Sequence, residues 1–285
     1  MREDTGTSRM RQPQSKMLFF PREHGATAML MIPIVCAAIL SRQWRWSELA
    51  TLTAAFAALA AKDPMVILAR QRFVWKQQHP ETAAAARWLA GWSVILLLSG
   101  LVLLKAWPLK AIIAMGLGVG VFSVMAIAVN VKNRQRSTLF QIASGVALTS
   151  SSLATSLSAT GGIAPWCWGL WLLMALQATA GILVVHARLD ARIALRQAAI
   201  VGKQSERFRR AAQISLIALA CAAVTTAALG HAWIALALIT PILGYSLDLR
   251  GQRDAENLQL PLKKVGQRAL ALSSLFAVLL IVGLW

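Results

Sequence analysis

Cysteine is nearly absent from this chain: Cys36, Cys167 and Cys221 are the only three in 285 residues. They stand far apart, in or beside apolar stretches, so they build neither a disulfide framework nor a metal cluster with usable spacing. Small buried side chains are the expectation for all three. Charge is scarce as well. Only 14% of residues are charged and just 11 are acidic, which is not the composition of an ordinary soluble domain. The polar first twenty-odd residues end without a small-residue cleavage site, so no removable signal peptide is expected and the first apolar segment serves as its own anchor. There is no linker, low-complexity tract or exact repeat. No glycine-rich phosphate loop, catalytic nucleophile or metal-ligand spacing stands out either.

What the chain has is long hydrophobic runs, with 57% apolar residues and a mean hydropathy of +0.59. Runs of helix-spanning length predict an all-α, polytopic transmembrane bundle of about nine spans. They fall near Ala26–Ile39 (extended inward by Phe19 and Phe20), Leu49–Leu68, Leu89–Leu104, Ala111–Val129, Leu139–Leu157, Trp168–Val185, Ala211–Leu229, Trp233–Leu247 and Ala269–Trp285. Residues 1–18 read as a flexible cytoplasmic tail and 19–285 as a single membrane domain.

The net charge of +18 is distributed unequally. Of the 29 Lys and Arg residues, all but Arg42, Arg45, Lys105 and Lys110 fall in alternate connectors. Cytoplasmic loops retain Lys and Arg during insertion, so this alternation predicts the N-terminus inside and the C-terminus outside. Contact with anionic membrane lipid explains the charge better than nucleic acid does, because the basic residues sit in short loops beside apolar segments. Trp44, Trp46, Trp107, Trp166, Trp168, Trp233 and Trp285 fall at the expected outer ends, where indole rings prefer the interface. Small residues, such as Gly116, Gly118 and Gly120 in the fourth span and Ala143, Gly145 and Ala147 in the fifth, are expected to let helices approach closely.

Polar groups gather at the expected inner ends of the even-numbered spans. Asp63 and Arg70, seven apart, share a helix face, and Lys62 with Asp63 is a costly pair at hydrocarbon depth. The pair either forms part of a site or snorkels to the interface while Pro64 ends the helix. Asn130 and Arg134 are four apart and can point together, or Arg134 is an ordinary anchor. Thr179, His186 and Asp190 lie on one face of the sixth span, where Asp190 can hydrogen-bond and orient the imidazole. A short basic helix is expected after that span, with Arg188, Arg192 and Arg196 as a stripe lying on the membrane surface. The fifth span carries Thr149, Ser150, Ser151, Ser152, Thr155, Ser156 and Ser158, which either line a cavity or bond back to their own carbonyls.

At the entrance to the first span, Pro21-Arg22-Glu23-His24-Gly25-Ala26 is followed by Met29 to Pro33. This stretch resembles the signature of the YwiC-like family of integral membrane proteins. Arg22, Glu23 and His24 offer three ionisable groups at the inner interface, where a bare anchor needs only one. The chain is also similar, more distantly, to the UbiA prenyltransferases, which have nine spans with N-terminus in and C-terminus out. Those enzymes bind a polyprenyl diphosphate through Mg²⁺ at Asp-rich motifs after the second and sixth spans. Here Asp63 and Asp190 stand at those two places alone, and one carboxylate per motif is a poor match for two Mg²⁺ ions. Arg70, Arg72, Arg134 and Arg188 can pair with phosphate directly instead.

The resemblance implies a UbiA-like arrangement in the bacterial cytoplasmic (inner) membrane. It implies a cytoplasm-facing site of His24, Asp63, Arg70, Asn130, Arg134, His186 and Asp190 for an isoprenoid or other anionic amphiphile. If that site is enzymatic, the class is a membrane transferase. A small-molecule transporter and a non-catalytic scaffold are the alternatives.

Overall fold

The computed structural model describes residues 24–77, 79–131, 137–197 and 202–285. The expected N-terminal tail 1–18, with Phe19, Phe20, Arg22, Glu23 and Arg134, lies outside them. The described chain is helical throughout: α1 (His24–Ser41), α2 (Trp46–Arg70), α3 (Thr82–Ala106), α4 (Leu109–Val131), α5 (Thr138–Thr149), α6 (Ser151–Thr160), α7 (Pro165–Gln197), α8 (Gly202–Ala228), α9 (Ala232–Gly251), the short α10 (Ala255–Leu258) and α11 (Leu262–Leu284). Seven helices are long and apolar enough to cross a membrane: α2, α3, α4, α7, α8, α9 and α11. The apolar part of α1, Gly25–Ser41, is shorter. The expected fifth span is divided, with α5 and α6 meeting at Ser150.

Proline explains part of the irregularity. Pro33 in α1 has no N–H to give the Met29 carbonyl, and its ring crowds the turn before it. In lipid such disturbed groups must find partners within the protein. The hydroxyl of Ser151 supplies one, donating to the Leu30 carbonyl at 3.0 Å. The break in one helix thus seats against the proline-bearing turn of another. At the break itself Thr149 Oγ1 and the Trp171 indole both donate to the Val146 carbonyl, at 2.9 and 3.3 Å. Ser150 Oγ donates to Ala147 at 2.7 Å and Ser152 Oγ to Thr149 at 3.0 Å. Most of the hydroxyl run therefore bonds back to the backbone. By contrast Pro64 neither ends nor interrupts α2, which runs on to Arg70 and then through one π-helical turn, Gln71–Trp75.

The two ends of the bundle differ. At one end α6 is enclosed, with Ser152, Thr155, Ser156 and Ser158 all buried. Thr51 Oγ1 donates to the Ser47 carbonyl at 2.9 Å, so in the close pair of hydroxyls it is Ser158 that donates to Thr51. Ser158 Oγ in turn accepts from the Trp107 indole at 2.8 Å, and Ser47 Oγ donates to the Ser158 carbonyl at 2.7 Å. This closed circuit ties α2, α3 and α6 together. It also corrects the expected aromatic belt: Trp107 is a buried hydrogen-bond donor, whereas Trp44, Trp46, Trp168, Trp233 and Trp285 are exposed. At the same end Arg42 lies over the Trp285 ring at 4.2 Å and donates to its carbonyl at 2.7 Å.

The opposite end holds the basic connectors. There Arg70 reaches α4, the close of α7 meets α5 and α8, and Arg188 ties α7 to the α9–α10 connection. Contacts among the described residues thus separate the helix ends into two sets. We refer to these as the neutral end and the basic end.

Two apolar cores underlie the packing. One gathers Cys36, Leu170, Leu219, Leu238, Phe276 and Leu280 between α1, α7, α8, α9 and α11. A smaller one joins α2, α3, α4 and α6 around Ala50, Leu103, Trp107 and Leu157. Gly145 works as expected, since a Cβ there would meet Ile182 at 2.9 Å. Gly116, Gly118 and Gly120 do not: a Cβ on any of them meets nothing within 4 Å, and that face of α4 is exposed. Cys36 and Cys167 are buried, but Cys221 faces outward.

Candidate functional site

The candidate residues lie at the basic end and fall into two groups. The first joins α2 to α4. Arg70 Nη2 donates to the Asn130 carbonyl at 2.9 Å. That carbonyl belongs to the last turn of α4, where no intrahelical partner exists and the helix dipole favours a cation. The amide of Asn130 is turned inward, donating to Ala126 O at 2.8 Å. It serves its own helix. Lys62 and Asp63, about two turns before Arg70, are half-buried and both engaged. Beyond Arg70, Gln71 is buried and its amide meets Thr82 Oγ1 at 2.6 Å. Thr82 also lies 2.7 Å from the His79 carbonyl, and one hydroxyl proton cannot serve both acceptors. The consistent network has the Gln71 NH₂ donating to Thr82, which donates to His79.

The second group is built on α7. His186 is buried and its ring is stacked on Phe208 of α8, with centroids 5.6 Å apart. Nε2 lies 2.9 Å from Gln141 Oε1, and Nδ1 lies 3.4 Å from the Thr138 hydroxyl. An amide oxygen only accepts, so Nε2 carries the proton and Nδ1 of the neutral ring accepts from Thr138. The expected hydrogen bond between His186 and Asp190 is replaced by these two from α5. Asp190 sits one turn further on, close enough to act on His186 electrostatically, and its buried Oδ2 has no hydrogen-bond partner among the described residues. His24 opens α1 as the first described residue.

Sequence reasoning missed a second polar stripe on α7. Gln177 Nε2 donates to Tyr245 Oη at 2.8 Å and to Ser273 Oγ at 2.9 Å. Two turns on, Gln252 Nε2 donates to the Val184 carbonyl at 3.2 Å. Then Arg188, 3% exposed, pairs with Asp248 at 2.7 Å and donates to the Asn257 carbonyl. Positions 177, 181, 184 and 188 follow helical spacing on one face, opposed by Tyr245 and Asp248 of α9 and by Gln252 just beyond it. The expected short surface helix after the sixth span is therefore corrected. Arg188 belongs to the continuous α7 and is buried in an ion pair. A burial partner 60 residues away leaves no local trace, although the matched spacing of Tyr245, Asp248 and Gln252 was a signal available to find it.

Among the described residues no three His, Cys, Asp or Glu side chains come together in a way that could hold a metal ion. Asp63 and Asp190 give one carboxylate each, which does not fit the Mg²⁺ pair of a UbiA-type site.

These features define a multi-pass membrane protein: apolar helices of spanning length, with the helix break at Ser150 satisfied by hydrogen bonds within the protein. Residues 20–156 match the family model described as YwiC-like protein, so that part of the chain is similar to this family. No curated protein matches the chain. The matched region includes His24, Asp63, Arg70 and Asn130, and stops short of His186 and Asp190.

Proposed function

We propose that this YwiC-like membrane protein binds an isoprenoid or other phosphate-bearing lipid in a polar pocket at its basic end, open to the cytoplasm. The reading takes nine spans, with α5 and α6 forming the fifth, and a UbiA-like arrangement with the N-terminus inside. The observation that carries it is the contrast between the ends. The neutral end is tied shut by the Trp107–Ser158–Thr51 circuit, while Asp63, Arg70, Asn130, His186 and Asp190 all stand at the other.

In this reading Arg70 and Arg134 meet the phosphate, and His24 lies at the mouth. His186 and Asp190 bind hydroxyl or amine groups of the ligand, for which the unpartnered Asp190 Oδ2 is a ready acceptor. No metal step is drawn, because the donor set does not fit. Any group transfer at such a site belongs to the UbiA-like transferase class. The α5–α6 break supports a second reading, a small-molecule transporter, since discontinuous helices mark many such sites.

Native mass spectrometry of the purified protein separates the readings. The wild type is expected to retain an isoprenoid or phosphate lipid, and Asp63→Ala and Asp190→Ala are each expected to lower that retention about tenfold, the loss of one good hydrogen bond. Retention unchanged in both variants rejects the site. Orientation is tested with a Cys-free background carrying single cysteines at Arg72 or Lys110, both exposed. In intact cells an impermeant maleimide is expected to label position 110 and spare 72. The reverse pattern inverts the topology and the pocket with it.

A further inference from the structure

A feature next to the candidate pocket, on a different face of the helix that carries Phe208, lies on α8. Glu206, Arg207, Arg210, Ala211 and Ile214 line an open groove of about 480 Å³. Positions 207, 210, 211 and 214 recur at helical spacing, so they form one strip along the helix. The strip changes character along its length. Arg207 and Arg210 are exposed at the start of the membrane-spanning part of α8, which runs from Glu206 to Ala228. One to two turns deeper come Ala211 and the 67% exposed Ile214. Phe208 points elsewhere, against His186. The two arginines therefore face away from the candidate pocket's histidine.

We propose that this strip is a binding site for an anionic glycerophospholipid of the surrounding bilayer. The argument is charge complementarity at a fixed depth. A phosphodiester headgroup sits above its acyl chains as the two guanidinium groups sit above Ala211 and Ile214. Arginine forks match phosphate oxygens in a bidentate manner. Glu206 is the internal competitor: its Oε2 holds Arg210 Nη2 at 3.2 Å, an exposed one-turn pair of little intrinsic strength. Arg207 has no such carboxylate at hand among the described ion pairs, and it receives the headgroup first. Arg210 joins when phosphate displaces Glu206. A zwitterionic headgroup brings its own cation to the same place and gains less.

The site is tested by native mass spectrometry of the full-length protein from nanodiscs of phosphatidylcholine and phosphatidylglycerol in equal parts. Wild type is expected to keep phosphatidylglycerol selectively. Arg207→Gln with Arg210→Gln is expected to lower that retention on the order of thirtyfold, as two juxtamembrane charges are lost. Arg268→Gln with Arg253→Gln, exposed basic residues of the same end outside the groove, removes equal charge and is expected to change it less than about threefold. Glu206→Gln is expected to raise retention above wild type, and Glu256→Gln is not. Equal losses in the two double variants, or equal retention of both lipids by wild type, overturn the proposal. Asp63→Ala and Asp190→Ala leave this lipid in place even where they lower retention of the pocket's ligand, so the two readings fail separately.

Discussion

Arg188→Ala is expected to destabilise the bundle by about 3–5 kcal/mol, the usual consequence of leaving one member of a buried ion pair alone. The guanidinium has 4% of its side-chain surface exposed and holds two elements at once: Asp248 at the end of α9 and the Asn257 carbonyl of α10. Removing it leaves the partly buried Asp248 carboxylate and the Asn257 carbonyl without the cation that both were arranged around. Asp248→Ala is expected to cost a similar amount for the mirror-image reason. The double variant Arg188→Met with Asp248→Leu is expected to recover more than half of the loss, because burying apolar groups avoids the desolvation of both charges. Equilibrium unfolding in mixed detergent micelles measures all three. A single variant within about 1 kcal/mol of wild type would mean that water already reaches the pair.

The same residue shows where sequence reasoning reached its limit. Periodicity and length located all the long helices, because a hydrocarbon slab imposes nearly the same requirement on every span. Charge asymmetry sorted the connectors into two sets, and the contacts Arg70–Asn130 and Arg42–Trp285 lie at different ends of the bundle. Two kinds of feature were hidden. The first is discontinuity: the break at Ser150 lies in the run Thr149 to Ser152, and its hydrogen bonds come from hydroxyls that a straight helix would also tolerate. The second is partnership. Arg188 in a run with Arg192 and Arg196 has the pattern of a surface stripe, and only Asp248 makes it a core residue. Trp107 likewise had the position of an interface anchor and proved to be a donor to Ser158. In the candidate site, the spacing of His186 and Asp190 was legible on α7 itself, while Gln141, Thr138 and Phe208 come from other helices and were not.

Gly181→Ala is expected to be the second most damaging substitution, and the way it combines with Tyr245→Phe identifies the cause. A Cβ at position 181 would lie 2.7 Å from Tyr245 Oη and 3.3 Å from Cζ, inside a packed seam where Tyr245 is 6% exposed. The phenol has to shift, and in shifting it gives up the 2.8 Å hydrogen bond from Gln177 that joins α7 to α9 within their apolar, spanning-length parts. Overpacking costs about 1–3 kcal/mol, and an interhelical hydrogen bond in a bilayer adds roughly 0.6. Tyr245→Phe alone is expected to cost about 1 kcal/mol or less, since Gln177 keeps its 2.9 Å bond to Ser273. In the double variant the new methyl group occupies the space that the hydroxyl vacates. Its cost is expected to fall below the sum of the single variants by at least about 1 kcal/mol, the coupling typical of residues in contact. Strict additivity would show that Gly181 is needed for α7 itself rather than for the approach of Tyr245. The polar stripe of α7 would then be a consequence of packing rather than the contact that sets how closely α7 and α9 meet.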